Sequence, residues 1–505
     1  MPKKALYLCC IAEPWINVAK QLEVEDIVPV YFVHWKDDSD LFFESFKGKS
    51  YLQTVESAWK GLGFPEELKP KALDEIEFKE IAWYELNALK MMDRLDPLGN
   101  EFGFQERRYF FQDLVGYWLS CIEEYGFDVV ISPSIPHRVF DYALYVACKM
   151  KGVMFLMFQM VPFGSASLII KDIDRMGLDF QPLPEFERKK ELSLLMRKKI
   201  DRVKSDYKTA IPEYMVKHEK NQKINLNKLK LSLVKPTAKI LLSVLGYKKQ
   251  PNTYWVNKGK IPSMSHYSWL SYYIMKIRRS LKVHSMRLKY EALATDPMPE
   301  KFILFALHYQ PEETSCPTGG SYADQISLLR LLDDTLPEDI RILVKEHKSQ
   351  FYTHQESASG RDSSFYQRLA SQSDRVIFAS VDTVPFELID RAMATVTISG
   401  TIGWESAIRG TPTLVFGRAW YENMPRVHKV KSKRDILSVL PLMQSEKNAD
   451  MDEEIDQFHF LLELKAIKGK HYKAFLKNED ISMSDSKENL SNALALVIKD
   501  AREVS

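Results

Sequence analysis

The chain has 505 residues, of which 45% are hydrophobic and 27% charged, and its formal net charge at pH 7 is +2. This length predicts two to four domains, and the composition is typical of a globular protein. The small net charge excludes a chain that binds nucleic acid through its overall charge, so nucleic acid is not an expected partner. The five cysteines are too scattered for a zinc site or a disulfide framework, and we expect them to be buried apolar side chains in a reducing cytosol.

The N-terminal stretch MPKKALYLCCIAEPW has the outline of a signal peptide, because two lysines precede an apolar run. The run is only about eight residues long and lacks a small-residue cleavage site, so we predict a buried strand instead. No apolar stretch approaches the roughly 18 to 20 residues that a membrane span needs. We therefore expect a protein that is cytoplasmic or peripheral to a membrane.

Apolar strand patterns alternate with helix patterns over the first part of the chain. The strands are KALYLCCIA, IVPVYFV, DVVISPS and VMFLMFQM, and the helices include WINVAKQLEVE, RRYFFQDLVGYWLSCIEEYG and VFDYALYVACKMKG, which ends on Gly152. Continuous apolar strands between amphipathic helices predict a parallel sheet that is covered on both faces. Residues 1–175 are therefore predicted to form an N-terminal Rossmann-like domain.

A basic segment interrupts this alternation over residues 176–295. From Lys220 to Tyr290 the sequence contains sixteen Lys and Arg residues and no Asp or Glu. One interpretation is a solvated helical connector, although such helices usually mix both signs of charge. The other is a surface for an anionic membrane over residues 220–290, since tyrosine, tryptophan and leucine are interleaved with the cations. A polyanionic glycan is a further possible partner.

The alternation returns over residues 296–440. The predicted strands are KFILFALHY, IRILVKEH, RVIFAS, ATVTIS and PTLVF, each followed by a helix pattern, and residues 441–505 are predicted to be helical. The fold class is therefore α/β, with two Rossmann-like domains and a basic helical insert between them. This outline is similar to the GT-B fold, in which ligands bind between the two domains.

The stretch SGTIGWES follows a strand of the second domain and opens a helix. The first N–H groups of a helix are unpaired, and the helix dipole makes this end attractive to phosphate. Gly400 and Gly403 would let a phosphate approach the backbone, and Ser399 and Thr401 would add hydroxyl donors. The alternative is a tight turn with a Ser or Thr cap. Glu405, placed in the first turn, is either a cap charge or a ligand for a sugar or ribose hydroxyl.

Another polar stretch, ILVKEHKSQ, ends a strand of the same domain, so His347 is expected at the same edge of the sheet. Lys345 and Lys348 flank it. A histidine beside two cations can bind a phosphate and stabilise it as a leaving group. The alternative is a structural histidine at a strand end.

Weaker candidates follow two other strands of the second domain. His308, Gln310 and Glu312 lie in LHYQPEETSCPTGG, at or just after the first strand, and Glu387 lies in the loop ASVDTVPFEL. In an open parallel sheet these positions border the ligand crevice. Glu387 is a candidate for contacts with a nucleotide base or ribose.

The first domain offers ISPSIPHRVFDYALY after a strand, with His137, Arg138 and Asp141 near the strand end. A general base or an acceptor ligand is expected at this position if an acceptor hydroxyl has to lose a proton, and Asp141 with His137 nearby is the candidate base. Asp141 could instead be a charge at a helix N-terminus. No metal-ligand cluster and no convincing acidic pair occurs in the sequence, so we expect phosphate to be stabilised without a metal ion.

Four segments together resemble the bacterial capsule polysaccharide biosynthesis family. They are LHYQPE with the later Gly-Gly, VKEH, TISGTIGWESAIRGTPTLVFGRAWY and, more loosely, PHRVFDYALYVACKMKGV. The family includes enzymes that build the Kdo linker of Gram-negative capsules from a CMP-sugar. The resemblance implies that His347 matches the histidine of a His-Pro motif that contacts the donor phosphate, with Lys348 where proline is usual. It also implies that Ser399, Gly400 and Thr401 match the phosphate-binding turn.

The resemblance implies a Kdo-transferase-like glycosyltransferase, cytoplasmic and peripheral to the inner membrane. Such an enzyme would transfer a sugar from a nucleotide-sugar, with a CMP-linked donor as one candidate, to a lipid-linked or glycan acceptor. No further cofactor is expected. Two alternatives stay open. One is a polyol-phosphate transferase or nucleotide-sugar epimerase on the same fold. The other is a non-catalytic scaffold of a capsule assembly complex, for which the missing proline after His347 is the sequence hint.

Overall fold

The structure is a computed structural model that describes residues 2–96, 102–178, 191–210, 255–256, 261–262, 269–295, 297–310, 312, 315–352 and 357–500. Most of the predicted basic segment, including residues 211–254, lies outside the described residues. The five cysteines are all described and buried, as the sequence predicts, and none of these five forms a disulfide.

Strands and helices alternate along most of the described chain. The strands are β1 Lys3–Cys10, β2 Ile27–His34, β3 Tyr51–Thr54, β4 Val129–Ser132, β5 Met154–Met160, β6 Ala166–Ile170, β7 Trp255–Val256, β8 Ile261–Pro262, β9 Phe302–Ala306, β10 Arg341–Lys345, β11 Val376–Phe378, β12 Thr395–Thr397, β13 Thr413–Val415, β14 Val427–Lys429 and β15 Ile467–Lys468. The α-helices are α1 Ala12–Val24, α2 Ser39–Phe46, α3 Val55–Ala58, α4 Glu75–Met91, α5 Phe104–Tyr125, α6 Phe140–Lys151, α7 Leu194–Ser205, α8 Tyr207–Ala210, α9 Trp269–Glu291, α10 Gln325–Thr335, α11 Ser357–Gly360, α12 Phe365–Ala370, α13 Pro385–Arg391, α14 Thr401–Ile408, α15 Lys433–Glu446, α16 Asp452–Lys465 and α17 Met483–Asp500.

The chain divides into two compact units. Unit 1 comprises Met1–Met91, Phe104–Arg197 and Asp452–Ser505, and unit 2 comprises Met92–Gly103 and Lys198–Met451. The sequence did not indicate that the C-terminal segment from Asp452 onwards is part of unit 1. Within the part of the chain that the structure describes, none of the helices has the apolar length that a bilayer span requires.

Unit 1 is built around a seven-stranded sheet in the order β15-β6-β5-β4-β1-β2-β3. The strands from β5 to β3 are parallel to their neighbours, whereas β6 and β15 pair antiparallel. Helix α17 covers part of this sheet, since Leu490, Leu494 and Ile498 pack in the same core as Trp15 of α1 and Phe32 of β2. The apolar face of α17 thus covers part of the sheet of unit 1.

Unit 2 contains a six-stranded sheet in the order β11-β10-β9-β12-β13-β14, and all of its strand pairs are parallel. Strand β9 is buried along its whole length, as expected for a strand covered on both faces. The strand order reverses between β9 and β12, so the carboxyl ends of these two strands border the crevice where such sheets bind ligands. The predicted α/β class with two Rossmann-like parts is confirmed.

A buried ion pair lies at the carboxyl end of β10. Arg361 donates from Nε and a terminal nitrogen to Glu346, at 3.2 and 3.3 Å, and the two side chains are only 2% and 0% exposed. The Tyr366 hydroxyl donates to the same carboxylate at 2.7 Å, and the His347 N–H donates to it at 2.8 Å. With several hydrogen bonds to its oxygens, the buried carboxylate is well compensated.

We expect Arg361→Met to lower the free energy of unfolding of unit 2 by about 3–5 kcal/mol, because the Glu346 carboxylate would stay buried without its partner. Denaturant unfolding measures this loss. The control is Arg368→Met, which removes an ion pair with Asp362 whose side chains are 46% and 54% exposed. The control substitution should lower the free energy of unfolding by less than about 1 kcal/mol. Equal losses in both variants would contradict the importance of the buried pair.

Candidate functional site

The candidate site lies at the point where the strand order of unit 2 reverses. After β12 the chain turns through Ser399 and Gly400 and begins α14 at Thr401. Gly400 occupies the N-cap position and supplies no side-chain cap, so the predicted alternative of a Ser or Thr cap is wrong. The first N–H groups of a helix have no partner within the helix. This end of α14 can therefore hold an anion.

The two glycines of the turn let α14 approach the sheet. A Cβ on Gly403 would lie 2.5 Å from the Tyr421 hydroxyl and 2.9 Å from methyl groups of Thr397 and Thr413. A Cβ on Gly400 would lie 3.1 Å from Cε1 of His308 and from the Thr397 hydroxyl. Gly403 is thus required for close helix–sheet packing, while its predicted role in phosphate approach stays a prediction.

His308 holds the turn in place from the end of β9. Its Nε2 accepts hydrogen bonds from the N–H groups of Ile398 and Ser399 at 3.0 and 3.3 Å, and lies 2.9 Å from the Thr397 hydroxyl. Because Nε2 is an acceptor, the neutral ring carries its proton on Nδ1. Burial, together with the nearby His347 and Arg361, lowers the pKa of His308 to about 3. The neutral imidazole is therefore the form that orders the turn.

The buried ion pair between Glu346 and Arg361 also contacts His308. Arg361 donates from a terminal nitrogen to the carbonyl oxygen of His308 at 2.8 Å. On the other side of the turn, the Tyr421 hydroxyl donates to the carbonyl oxygen of Gly400. Arg361 was missed by sequence reasoning because it lies in the polar loop SGRDSS, whereas Tyr421 belongs to the GRAWY stretch of the family resemblance.

His347 lies just after β10 as predicted. Its Nδ1 accepts from the N–H of Ser349 at 3.3 Å and caps the single 3₁₀ turn Lys348–Phe351. The neutral ring then carries its proton on Nε2 and can donate it to a phosphate oxygen. Burial, together with the charges of Lys345 and Arg361, lowers the pKa of His347 to about 4. Strands β9 and β10 pair with Lys345 opposite Ala306, which places His308 and His347 after neighbouring strand ends.

The two lysines that flank His347 are engaged elsewhere. The ammonium of Lys345 is buried and donates to the carbonyl oxygen of Val381 at 2.6 Å. Burial lowers the pKa of Lys345 to about 8. Lys348 lies 3.8 Å from the carboxylate of Asp382 and is 39% exposed. Of these two cations, only Lys348 is accessible enough to meet a ligand without rearrangement.

Gln310 and Glu312 stabilise the loop after β9. Gln310 is buried, its N–H donates to the Gln350 side chain at 2.8 Å, and its side-chain amide donates to the Ser315 hydroxyl. The carbonyl oxygen of Glu312 accepts from the N–H groups of Ser315 and Cys316 at 3.3 and 3.0 Å. These contacts give both residues a structural role; a ligand role for them stays a prediction.

The two acidic candidates of unit 2 lie on different helices. Glu405 is the fifth residue of α14, whose first turn contains no acidic residue, so the predicted cap charge is wrong. Burial raises the pKa of Glu405 to about 7, against the opposing charges of Lys199 and Arg409. Glu387 is exposed in the first turn of α13. Glu405 therefore stays a candidate ligand for a hydroxyl, and Glu387 a candidate contact at the surface.

The candidates of unit 1 form a separate cluster at the start of α6. Asp141 accepts from the N–H of Arg138 at 2.6 Å and lies 3.3 Å from its guanidinium, and both side chains are buried. Burial raises the pKa of Asp141, while Arg138 opposes this effect. His137 Nδ1 lies 2.6 Å from the carbonyl oxygen of Ile135, to which it donates. Asp141 thus occupies the helix-terminal position that the sequence left open.

Backbone strain accompanies this cluster. Val139, the N-cap of α6, has φ 69° and ψ −61°, and Cys9 near the end of β1 has φ 54°. A β-branched residue at positive φ is an outlier that costs of order 1–3 kcal/mol. No sequence pattern signals such strain in non-glycine residues.

Among the described residues, no group of three or more His, Cys, Asp or Glu side chains could hold a metal ion.

The fold is that of an α/β protein with two Rossmann-like parts, and the candidate anion site is the N-terminus of α14. Residues 250–425 match the family model described as capsule polysaccharide biosynthesis protein, and this region contains His308, His347 and the turn before α14. The resemblance to this family that the sequence predicted is therefore confirmed. No curated protein matches the chain.

Several solved structures are similar to the chain at low identity. The UDP-GlcNAc 2-epimerase from Methanocaldococcus jannaschii is 12% identical, with 92% of this chain and 99% of that chain covered and a TM-score of 0.23. Thermosulfurimonas dismutans KpsC, a beta Kdo 2,7 transferase, is 14% identical, with 45% and 68% covered and a TM-score of 0.24. A glycosyltransferase from Rickettsia africae is 10% identical, with 100% of both chains covered and a TM-score of 0.24.

The low pKa of His308 predicts acid sensitivity. The folded value is about 3 and the reference value is 6.5, so between them the unfolded state binds more protons. The free energy of unfolding should therefore fall as the pH falls from about 6.5, with a slope that approaches about 1.4 kcal/mol per pH unit for this one group. We expect His308→Gln, which keeps an acceptor atom, to reduce this slope.

Denaturant unfolding of both proteins at several pH values measures the slope. His347→Gln is the matched comparison. The pKa of His347 is also lowered, to about 4, so this variant should likewise reduce the slope. An unchanged slope in His308→Gln would show that the ring is not held neutral in the folded protein.

Proposed function

We propose that the protein is a glycosyltransferase of capsule or surface polysaccharide biosynthesis that uses a nucleotide-sugar donor. The observation that carries the proposal is the N-terminus of α14, which opens at the strand-order reversal of a fully parallel sheet without a side-chain cap. The family match of residues 250–425, which include this helix, supports a role in capsule polysaccharide synthesis.

In the proposed mechanism the donor phosphate lies against the N–H groups at the start of α14, with the hydroxyls of Ser399 and Thr401 beside it. His347 donates from Nε2 to a phosphate oxygen, because its Nδ1 is occupied as an acceptor. When the acceptor oxygen attacks the anomeric carbon, the bond from that carbon to the phosphate oxygen breaks. The nucleotide leaves with the electron pair, and the donors at α14 stabilise the added negative charge.

The acceptor hydroxyl must lose a proton in this step, and we assign this role to Asp141 with His137 nearby. Burial raises the pKa of Asp141, which makes its carboxylate a stronger base. We assign no metal ion and no cofactor other than the donor substrate, since the helix terminus supplies partial positive charge and the neutral His347 supplies a hydrogen-bond donor. We place the enzyme in the cytoplasm, peripheral to the inner membrane, with a lipid-linked or glycan acceptor.

The test uses proline at Thr401, the first residue of α14. Proline is well tolerated at this position and removes one backbone N–H, while Thr401→Ala removes only the hydroxyl. Gly400 has φ −69° and ψ 150°, which suits a residue before proline. Because a hydrogen bond to a charged group contributes about 1.5–3 kcal/mol, Thr401→Pro should weaken nucleotide binding about tenfold or more.

Thermal melting with CMP, UDP, GDP, ADP and their sugar conjugates measures this effect. A nucleotide at about 100 times its dissociation constant stabilises the folded state by about 2.7 kcal/mol, enough to raise the melting temperature by a few degrees. Thr401→Ala is the matched control and should keep most of the shift, and neither variant should melt differently without nucleotide. If no nucleotide raises the melting temperature of the wild type, the result supports the scaffold alternative. If Thr401→Pro binds nucleotide as tightly as the wild type, the phosphate does not bind at the start of α14.

A further inference from the structure

Helix α9, Trp269–Glu291, presents two opposite faces over the part whose side chains are described, residues 277–291. Val283, Met286 and Tyr290 are almost fully buried and belong to the hydrophobic core of unit 2. The Tyr290 hydroxyl also donates to the carbonyl oxygen of Ala379 at 2.7 Å. This face fixes the helix rigidly to unit 2, so the direction of the opposite face is fixed as well.

The opposite face carries a stripe of apolar side chains in water. Ile277, Leu281 and Leu288 are 56%, 64% and 59% exposed. With the exposed His284 they follow the spacing i, i+4, i+7 and i+11, which puts all four side chains on one side of a helix. We call Ile277, Leu281 and Leu288 the apolar stripe. Three large apolar side chains in line on a helix are unusual for a surface that meets only water.

Cations flank the apolar stripe. Arg278 and Arg287 are exposed on either side of it, and Arg287 also donates to the carboxylate of Asp382 at 3.0 Å. The sequence from Lys220 to Tyr290 adds up to sixteen Lys and Arg residues without an acidic residue. A narrow apolar stripe between basic flanks is the pattern of a helix that lies in the plane of a membrane surface, with its apolar face among the acyl chains. Each cation near an anionic leaflet contributes about 1 kcal/mol to such binding.

We propose that the apolar stripe of α9 docks unit 2 on an anionic lipid surface. Charge complementarity favours lipid over a protein partner, because residues 277–290 of α9 carry five Lys and Arg residues and no Asp or Glu. Anionic headgroups present negative charge over any area, whereas a protein groove would need matching acidic side chains. The proposal extends the membrane association proposed above by naming the surface that makes contact. It does not depend on the catalytic assignment.

The test is binding of the full chain to vesicles of phosphatidylcholine with and without phosphatidylglycerol. The stripe variant combines Ile277→Ser, Leu281→Ser and Leu288→Ser, which removes the apolar stripe and keeps every charge. We expect the wild type to bind the anionic vesicles. The stripe variant should bind them at least about tenfold more weakly, since burial of each large apolar side chain strengthens membrane binding.

The matched control replaces three leucines that are also exposed but lie on other helices. Leu437, Leu442 and Leu496 are 53%, 41% and 61% exposed. Their replacement by serine should leave vesicle binding unchanged. The nucleotide-induced shift in melting temperature should be equal in the wild type and in the stripe variant, so that loss of docking is distinguished from loss of the proposed nucleotide site.

A fluorescent label gives a direct reading of contact. All native cysteines are buried, so Ser285→Cys, on the exposed side of α9, can be labelled selectively. The label should move to shorter emission wavelength with anionic vesicles, whereas a label at Ser438→Cys on α15 should not. Wild-type binding to neither vesicle, equal binding to both, or full binding by the stripe variant would each overturn the proposal.

Discussion

The candidate site of unit 2 depends on the buried ion pair between Glu346 and Arg361. Burying a carboxylate is costly unless its oxygens are satisfied, and here Arg361, Tyr366 and the backbone of His347 all donate to it. The same guanidinium donates to the carbonyl oxygen of His308, which joins the end of β10 to the end of β9. The pair therefore positions the two strand ends from which His308 and His347 project.

His308 links the ion pair to the turn before α14 through its own hydrogen bonds. Its ring accepts from two backbone N–H groups of the turn, which a protonated imidazolium could not do, because both of its nitrogens are donors. Burial and the nearby positive charge of Arg361 keep the ring neutral. Burial is thus the main cause of the protonation state that orders the turn, and the Arg361 that compensates Glu346 adds to it. The start of α14 that this turn leads into has no side-chain cap.

The sequence predicted the sheets because buried parallel strands are continuous apolar runs, as in KFILFALHY. It also placed His347 and Gly400 correctly at strand ends, since polar and glycine residues interrupt the runs there. Arg361 could not be predicted, because a polar loop sequence does not reveal that the tertiary fold will bury it. The C-terminal helices show an apolar face in sequence, but the pattern does not indicate which sheet they cover. Glu405 was misplaced because the helix begins at Thr401, which puts the carboxylate beyond the first turn.

Lys348 lies where the resemblance implies a proline, and its backbone accommodates either residue. Lys348 is the first residue of the 3₁₀ turn Lys348–Phe351, and His347 before it has φ −69° and ψ 125°, a conformation that also suits a residue before proline. Proline is favoured at a first helical position because its missing N–H is not needed there. Lysine accepts the same backbone, and the turn is held by the hydrogen bond from the Ser349 N–H to His347 Nδ1. The orientation of the imidazole therefore does not require the proline. This substitution, the sequence hint for a decayed site, leaves His347 able to donate from Nε2 and so gives no support to the scaffold alternative.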